Sequence, residues 1–200
     1  MKKSFIIIAA VLLIDQIVKL YVKTHFYLGE EVRVFDWWRI HFTENNGMAF
    51  GLEFGGIWGK LALSLFRVGA VIGIGYYLKS LIDKKVGTVV VVAFSLIMAG
   101  ALGNIIDSAF YGLLFSESYG EVAQFLPAGG GYAGFLQGEV VDMLYFPLFK
   151  GYLPDWIPFW GGDYFVFFRP VFNIADTAIS TGVGLLILFQ KQAFSAAEAE

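Results

Sequence analysis

The sequence lacks cysteine altogether, and its 200 residues include only two histidines, His25 and His41. Disulfide bonds and thiol nucleophiles are therefore excluded. Neither histidine lies in an H-E-x-x-H pattern, which argues against a zinc peptidase. Charged residues make up only 16% of the chain, and the net charge of -3 provides no basic surface for nucleic acid. We therefore expect no nucleic-acid partner.

Apolar residues are abundant instead: they form 58% of the chain, and the mean hydropathy of +0.67 exceeds that of a typical soluble protein. Two hundred residues fit one domain. The sequence predicts a single membrane-embedded domain, 1–200, of the α-helical polytopic class with four transmembrane helices. The predicted helices approach the length of about 20 residues that spans the hydrocarbon core, and they cover about 4–22, 58–78, 86–106 and 171–189.

The first of these helices follows two lysines, as a secretory signal peptide would. No small-residue cleavage site follows it, so an uncleaved transmembrane helix is the favoured interpretation. Basic residues in short loops mark the cytoplasmic side of a membrane protein. They flank the predicted helices at Lys2, Lys3, Lys79, Lys84, Lys85 and Lys191. This distribution predicts cytoplasmic N and C termini, outward-facing segments 23–57 and 107–170, and a short cytoplasmic tail, 190–200.

Both outward segments carry signs of structure. Trp38, Ile40 and Phe42 alternate with polar residues, which is strand periodicity, and Val32 and Val34 suit a partner strand. We expect a small β-sheet on the outer membrane surface. Residues 127–131 indicate a loop. The aromatic stretch 156–168 suggests a half-buried hairpin or re-entrant segment at the interface.

Two aspartates stand out against apolar surroundings. Asp176 lies near the start of the fourth predicted helix, and a charge at mid-bilayer costs about 2.5–3.5 kcal/mol on insertion scales. Asp142 follows two valines in the second outward segment. Two carboxylates in a partly dry site share a proton, which suits acid–base hydrolysis of a peptide. We interpret Asp142 and Asp176 as a catalytic pair.

Further polar residues cluster near helix ends. Asp15 and Lys19 share a helix face, either as a salt bridge or as groups reaching into a site. Gly100 allows close helix packing. Asn104 and Asp107, three residues apart, lie on one face of the third helix. Residues 45–51 read as a turn when taken alone.

Five short blocks carry a resemblance across the whole chain. In chain order they are Asp15-Gln16-x-x-Lys19, Asn45-x-Gly47-x-Ala49-Phe50, Gly100-x-x-Gly103-Asn104-x-x-Asp107, Val140-Val141-Asp142 and Phe172-Asn173-x-Ala175-Asp176. Any one block is weak, but five in this order make the chain resemble the bacterial lipoprotein signal peptidases (signal peptidase II), which are aspartic intramembrane proteases.

The resemblance implies a fold, a reaction and a site. It implies four transmembrane helices, a small extracytoplasmic sheet (the cradle) and an interfacial helix, in the bacterial inner membrane with the active site near the outer leaflet. The implied substrate is a prolipoprotein with a diacylglyceryl-modified cysteine, cut without metal or organic cofactor, and the implied inhibitor is globomycin. Asp142 and Asp176 match the catalytic pair. The residues that match its substrate- and inhibitor-binding positions are Asp15, Lys19, Asn45, Gly47, Gly100, Asn104, Asp107 and Asn173.

The chain departs from this family pattern in two places. Most members have arginine after the third block's aspartate, whereas Ser108 follows Asp107 here, and Arg169 is a candidate replacement. The loops 111–138 and 147–170 also look longer than usual.

Two other classes compete with this interpretation. Lys60 and Ser64 share a helix face, as a Ser/Lys membrane protease would require. A small ion or proton transporter would also explain intramembrane Asp15, Lys19 and Asp176, but it predicts polar groups spread through the bilayer depth.

Overall fold

A computed structural model describes residues 1–46 and 56–191, apart from the side chain of Ile57. Its helices are α1 (Lys2–His25), α2 (Gly56–Asp83), α3 (Thr88–Ile106), α4 (Gly112–Leu114) and α5 (Ile174–Leu188). A π-helical turn over Asp107–Tyr111 joins α3 to α4 without a break. Within the described residues, three helical stretches are long and apolar enough to cross a membrane, and they are Lys2–His25, Trp58–Asp83 and Thr88–Leu114.

Helix α5 is shorter than the predicted 171–189, with 15 residues and a length of about 22 Å. Its start moves because Val171 and Phe172 pair with a neighbouring strand, at Tyr145 and Leu144 respectively. Asn173 then caps the helix. The sequence therefore placed the fourth apolar helix correctly but missed the strand in front of it.

Small residues bring α5 against α3. A methyl group added at Gly100 would lie 2.1 Å from the carbonyl oxygen of Ala175, and one added at Gly182 would lie 2.6 Å from that of Ala93. The two backbones therefore touch, which is the packing that glycine permits between membrane helices. This contact fixes the start of α5 beside the end of α3.

In the part of the chain that the structure describes, six strands form two sheets. The larger is antiparallel, in the order β1-β2-β3-β6, and the smaller pairs β4 with β5. Their bounds are β1 (Glu31–Phe35), β2 (Trp38–Asn45), β3 (Val140–Tyr145), β4 (Phe149–Tyr152), β5 (Tyr164–Phe167) and β6 (Val171–Phe172). The predicted hairpin of β1 and β2 is confirmed. The fold is therefore a polytopic helical membrane protein with a small sheet.

The aromatic stretch 156–168 belongs to the β4–β5 hairpin. The turn residues Trp156 and Phe159 are 80% and 98% exposed on the protein. The predicted hairpin is therefore present, and its half-burial at the membrane interface stays a prediction.

Candidate active site

Strand β3 presents Asp142 to the interior. The carboxylate is only 3% exposed. Asn45 of β2 pairs with Val140, two residues before Asp142. Because side chains two apart on a strand share a face, Asn45 and Asp142 point the same way. The Asn45 Nδ2 atom donates a hydrogen bond to Asp142 Oδ2.

The first turn of α5 holds Asp176. The Asn173 side-chain oxygen accepts from the Asp176 backbone N–H at 2.8 Å, and the Asn173 backbone N–H donates to Asp176 Oδ2 at 3.4 Å. This reciprocal capping box satisfies two backbone donors that a helix start leaves open. The positive end of the helix dipole also favours a carboxylate there. Local helix physics thus explains how an apolar helix tolerates Asp176.

Two asparagine amides connect the aspartates. Asn173 Nδ2 donates to Asp142 Oδ1 at 2.7 Å, and Asn104 Nδ2 donates to Asp176 Oδ1 at 2.8 Å. Asn173 Nδ2 also reaches Asn104 Oδ1 at 3.1 Å. Asn173 therefore holds Asp142, which is 31 residues away in sequence, and Asn104 holds Asp176, which is 72 residues away. The hydrogen bond between the two asparagines connects the two carboxylates.

The carboxyl group of Asp142 favours its protonated form. Burial, and after it the charge of Asp176, raises the pKa of Asp142 to about 7. The charge of Lys19 and the amide donors Asn173 and Asn45 act in the opposite direction without cancelling this. Near neutral pH the pair can therefore hold a single proton, the state that acid–base chemistry with two carboxylates requires.

A second group of charges, here called the buried ion cluster, consists of Asp15, Lys19 and Asp107. The Lys19 ammonium lies 3.0 Å from Asp15 Oδ2 and 2.7 Å from Asp107 Oδ2, and all three residues are at most 1% exposed. Lys19 also donates to Asn104 Oδ1 at 2.9 Å. Both sequence interpretations of Asp15 and Lys19 thus apply: the two form a salt bridge, and that bridge touches the site.

The buried ion cluster also holds the two backbones that carry the aspartates. Asp15 Oδ1 accepts from the N–H of Ala175, the residue before Asp176, at 2.9 Å. Asp107 Oδ2 accepts from the N–H of Val141, the residue before Asp142, at 3.3 Å. The cluster therefore positions the aspartate pair through the main chain.

Of the remaining predicted positions, Gly100 lies at the α3–α5 contact described above, and Gly47 lies outside the described residues. Ser108 is 4% exposed at the start of the π-helical turn. Arg169 is exposed, and among the described residues no ion pair involves it. Within residues 1–46 and 56–191, neither a hydrogen bond nor an ion pair links Arg169 to the aspartates.

Sequence reasoning missed two residues of the site. Gln16 Nε2 donates to Asp107 Oδ1 at 2.9 Å, and its place between Asp15 and Lys19 was the available signal. Arg67 of α2 interacts electrostatically with Asp176 and Asp142. A basic residue inside an apolar helix was the signal for it, since such residues usually face the protein interior.

The competing classes find no support in the geometry. The Ser64 hydroxyl donates to the carbonyl oxygen of Leu136 at 3.0 Å, and Lys60 donates to Asn46 Oδ1 at 2.7 Å, so Lys60 does not activate Ser64. The predicted polar residues gather where α1, α3, β3 and α5 meet. They do not form a path along the helices, which a transporter would need.

Comparison with known proteins identifies the family of the chain. A family model described as signal peptidase (SPase) II matches residues 7–191. A lipoprotein signal peptidase of Porphyromonas gingivalis is 51% identical over 183 residues, which is 91% of this chain and 80% of that protein. A lipoprotein signal peptidase of Amoebophilus asiaticus is 38% identical over 179 residues, which is 88% of this chain and 72% of that protein.

A solved structure shares the fold. It is described as a bacterial membrane enzyme structure by the in meso method at 1.9 Å resolution, and it superposes with a TM-score of 0.61 at 28% identity. The alignment covers 94% of this chain and 92% of that one. The family match spans nearly the whole chain, including all five sequence blocks. The chain therefore belongs to the signal peptidase II family and is a membrane-embedded peptidase.

Proposed function

We propose that the protein removes the signal peptide from prolipoproteins whose cysteine carries a diacylglyceryl group, and that it cuts just before this cysteine. Family membership supports the reaction class. The observation that carries the proposal is the connection of Asp142 to Asp176 through Asn173 and Asn104. Two carboxylates in different environments, held together in a partly dry site, are what an aspartic endopeptidase needs.

In the resting pair, Asp142 holds the proton and Asp176 is ionised. The raised pKa of Asp142, which burial and the charge of Asp176 produce, supports this assignment. Asp176 takes a proton from a water molecule, and the water oxygen bonds to the scissile carbonyl carbon. Asp142 gives its proton to the carbonyl oxygen, which forms a neutral tetrahedral intermediate.

Collapse of this intermediate completes the reaction. One hydroxyl proton returns to Asp142 as the carbonyl re-forms, and Asp176 passes its proton to the departing nitrogen. The C–N bond breaks, leaving a carboxyl group on the signal peptide and a free amine on the lipid-bearing cysteine. The pair regains its single proton, so the cycle can repeat.

The remaining polar residues orient this pair. Asn45, Asn104 and Asn173 hold the carboxylates by donating amide hydrogens. Asp15 and Asp107 fix the backbones of the aspartate-bearing segments, and Lys19 neutralises part of their charge. Substrate contacts through Gly47 and Gly100 follow from the family resemblance.

The site suits a lipid-bearing substrate in the outer leaflet of the bacterial inner membrane. Met1, Lys2 and Lys3 lie beside Val86 and Thr88, at the bundle end opposite the aspartates. The positive-inside rule then places this end, and both termini, in the cytoplasm. Acyl chains anchor the substrate in the bilayer by about 0.8 kcal/mol per buried CH₂, and the exposed aromatic β4–β5 hairpin suits the same interface.

Cleavage of matched precursors tests the proposal. Purified protein in lipid nanodiscs is incubated with a diacylglyceryl-modified precursor and, in parallel, with the same precursor lacking the lipid. Mass spectrometry is expected to find one cut, directly before the modified cysteine, and only in the lipid-bearing precursor. A globomycin-type cyclic peptide should block this cut by occupying the site.

Two results would contradict the proposal. Equal cleavage of both precursors would show that the enzyme does not recognise the lipid. Absence of any cleavage, together with ion flux in proteoliposomes, would revive the transporter alternative.

A further inference from the structure

Helix α2 turns one polar face toward the site. Lys60, Ser64 and Arg67 are spaced by four and three residues, so they lie on the same side of the helix. Lys60 Nζ lies 2.7 Å from Asn46 Oδ1 and 3.8 Å from a Glu139 carboxylate oxygen. The polar face therefore packs on the segments that lead into β3 and out of β2.

The same face is the buried face of α2 farther along. Val71 and Leu78 lie four and eleven residues after Arg67, on the same face of the helix, and they are 8% and 5% exposed. Ser64, one turn before Arg67, is 4% exposed and donates to the Leu136 carbonyl oxygen. Arg67 thus lies between a buried serine and a buried valine, on the side of α2 that faces the protein.

The charges of the acidic groups of the site act on this guanidinium. Burial disfavours its charged form, whereas Asp176, Asp142 and Asp107 favour it. A cation in an apolar helix is costly unless it pairs with charge inside the protein. These carboxylates contribute such charge, which helps the helix to tolerate arginine at this position.

We infer that Arg67 is a positioning residue that holds the aspartate pair as a monoanion at the pH at which the enzyme works. The inference rests on the proposed function, because it assumes that Asp142 and Asp176 perform the cleavage. Arg67 acts on the reaction through their charge and touches no bond that changes.

The physical reason is the balance of charge around the pair. Lys19 lies between two other carboxylates and reaches the pair through Asn104. Arg67 belongs to a different helix, α2, whereas Lys19 belongs to α1. Within residues 1–46 and 56–191, the other charged side chains near the pair are Asp15 and Lys19 of α1 and Asp107 beyond α3, and Lys60 of α2 lies beside Glu139. A nearby cation favours ionised carboxylates, so Arg67 opposes the burial that favours their protonated forms.

The test is the pH profile of cleavage by Arg67→Gln, which removes the charge, and Arg67→Lys, which keeps it. The diacylglyceryl-modified precursor is the substrate for both. We expect the profile of Arg67→Gln to move to higher pH by about one unit, because the loss of a nearby cation favours a protonated carboxyl group. The KM should stay within about twofold of the wild-type value. Arg67→Lys should restore the wild-type pH position.

Lys79→Gln on the same helix is the matched control. Lys79 is exposed and pairs with Asp83, 2.8 Å away, at the far end of α2. Its removal changes the charge of the protein by the same amount, but the pH profile should not move. A shift in this variant as large as that of Arg67→Gln would assign the effect to net charge and overturn the inference.

Other outcomes separate this inference from the proposed function. An unshifted Arg67→Gln profile with a raised KM would make Arg67 a substrate-binding residue and overturn the inference. Asp142→Asn is measured in the same assay. If this variant stays active, the proposed function fails, whatever the result for Arg67.

Arg67→Met is a second neutral variant, and the pH profile is measured in whichever neutral variant keeps the wild-type melting temperature. Loss of folding in both neutral variants, with Arg67→Lys folded but shifted in profile, would also overturn the inference.

Discussion

Two groups of carboxylates lie side by side in this site and are held by different means. Asp15 and Asp107 share the ammonium of Lys19, at 3.0 and 2.7 Å. Asp142 and Asp176 instead accept hydrogen bonds from the neutral amides of asparagines. An ammonium draws its carboxylates together through short, charge-assisted hydrogen bonds, whereas amides orient a carboxylate without neutralising it. The first group is therefore suited to fix the structure, and the second to exchange protons.

Removal of either reactive carboxylate should have the largest effect on activity. Asp142→Asn and Asp176→Asn each lose one proton-transfer group, which is typically worth about 10²–10⁴-fold in rate. Cleavage of the lipid-bearing precursor should fall by at least this factor, while the melting temperature in detergent stays close to wild type. Full activity in either variant would refute the catalytic pair.

Removal of the cation from the buried ion cluster should instead affect stability first. Lys19→Met leaves Asp15 and Asp107 buried without their ammonium, and breaking such a group costs on the order of 3–5 kcal/mol. We expect a clear fall in the melting temperature, with loss of activity as a consequence.

The exposed Lys79 again serves as the comparison for Lys19. Lys79→Met breaks a solvent-exposed pair with Asp83 and should leave the melting temperature unchanged. An unchanged melting temperature in Lys19→Met as well would show that the two groups of carboxylates do not differ in the way their contacts suggest.

The pH dependence of cleavage tests the proton-exchanging group directly. Burial and the charge of Asp176 raise the pKa of Asp142 to about 7, so this residue is protonated below that pH and loses its proton above it. As the proposed acid needs this proton, the rate should decline as the pH rises through about 7. A rate that stays constant from pH 6 to pH 9, roughly two units beyond this pKa, would exclude Asp142 as the acid.

The smallest effect is expected at Ser108, next to the buried ion cluster. Ser108→Ala removes a hydroxyl from a position where most family members are expected to carry arginine. Activity should change by less than about threefold, and its pH profile should not move. The reason is that Arg67 supplies the positive charge that we propose acts on the aspartate pair. A loss comparable to that of the aspartate variants would give Ser108 a share in the site and weaken the contrast between the two groups.

Much of this site was predictable from the sequence because single residues conflicted with their surroundings. Asp176 in an apolar helix, and Asp142 after two valines, required partners on physical grounds alone. Helical spacing also predicted correctly that Asp15 lies beside Lys19 and that Asn104 and Asp107 share a face. The comparisons confirm the family that the five blocks resemble; the catalytic roles stay predictions.

Contacts between different helices and strands were harder to predict from the sequence. Arg169 was the sequence candidate for the cation near the site because it precedes the last block. It is exposed, however, and the charges of Asp176 and Asp142 act on Arg67 of α2. Proximity in sequence misled here, since the direction of a helix face depends on what the helix packs against. The late start of α5 was missed for a similar reason. The two-residue strand β6 in front of the helix forms only because β3 is there to pair with it.

The sequence by itself determined the number and order of the apolar helices, the β1–β2 hairpin and the identity of the acidic residues, because periodicity and the cost of buried charge act locally. Only the tertiary structure decided that Asn173 reaches Asp142, that Lys19 serves two carboxylates and that α2 turns Arg67 inward. The first of these contacts depends on the register of β3 in its sheet and on the close glycine contact between α3 and α5. Both are set by packing between distant segments, which no local pattern encodes.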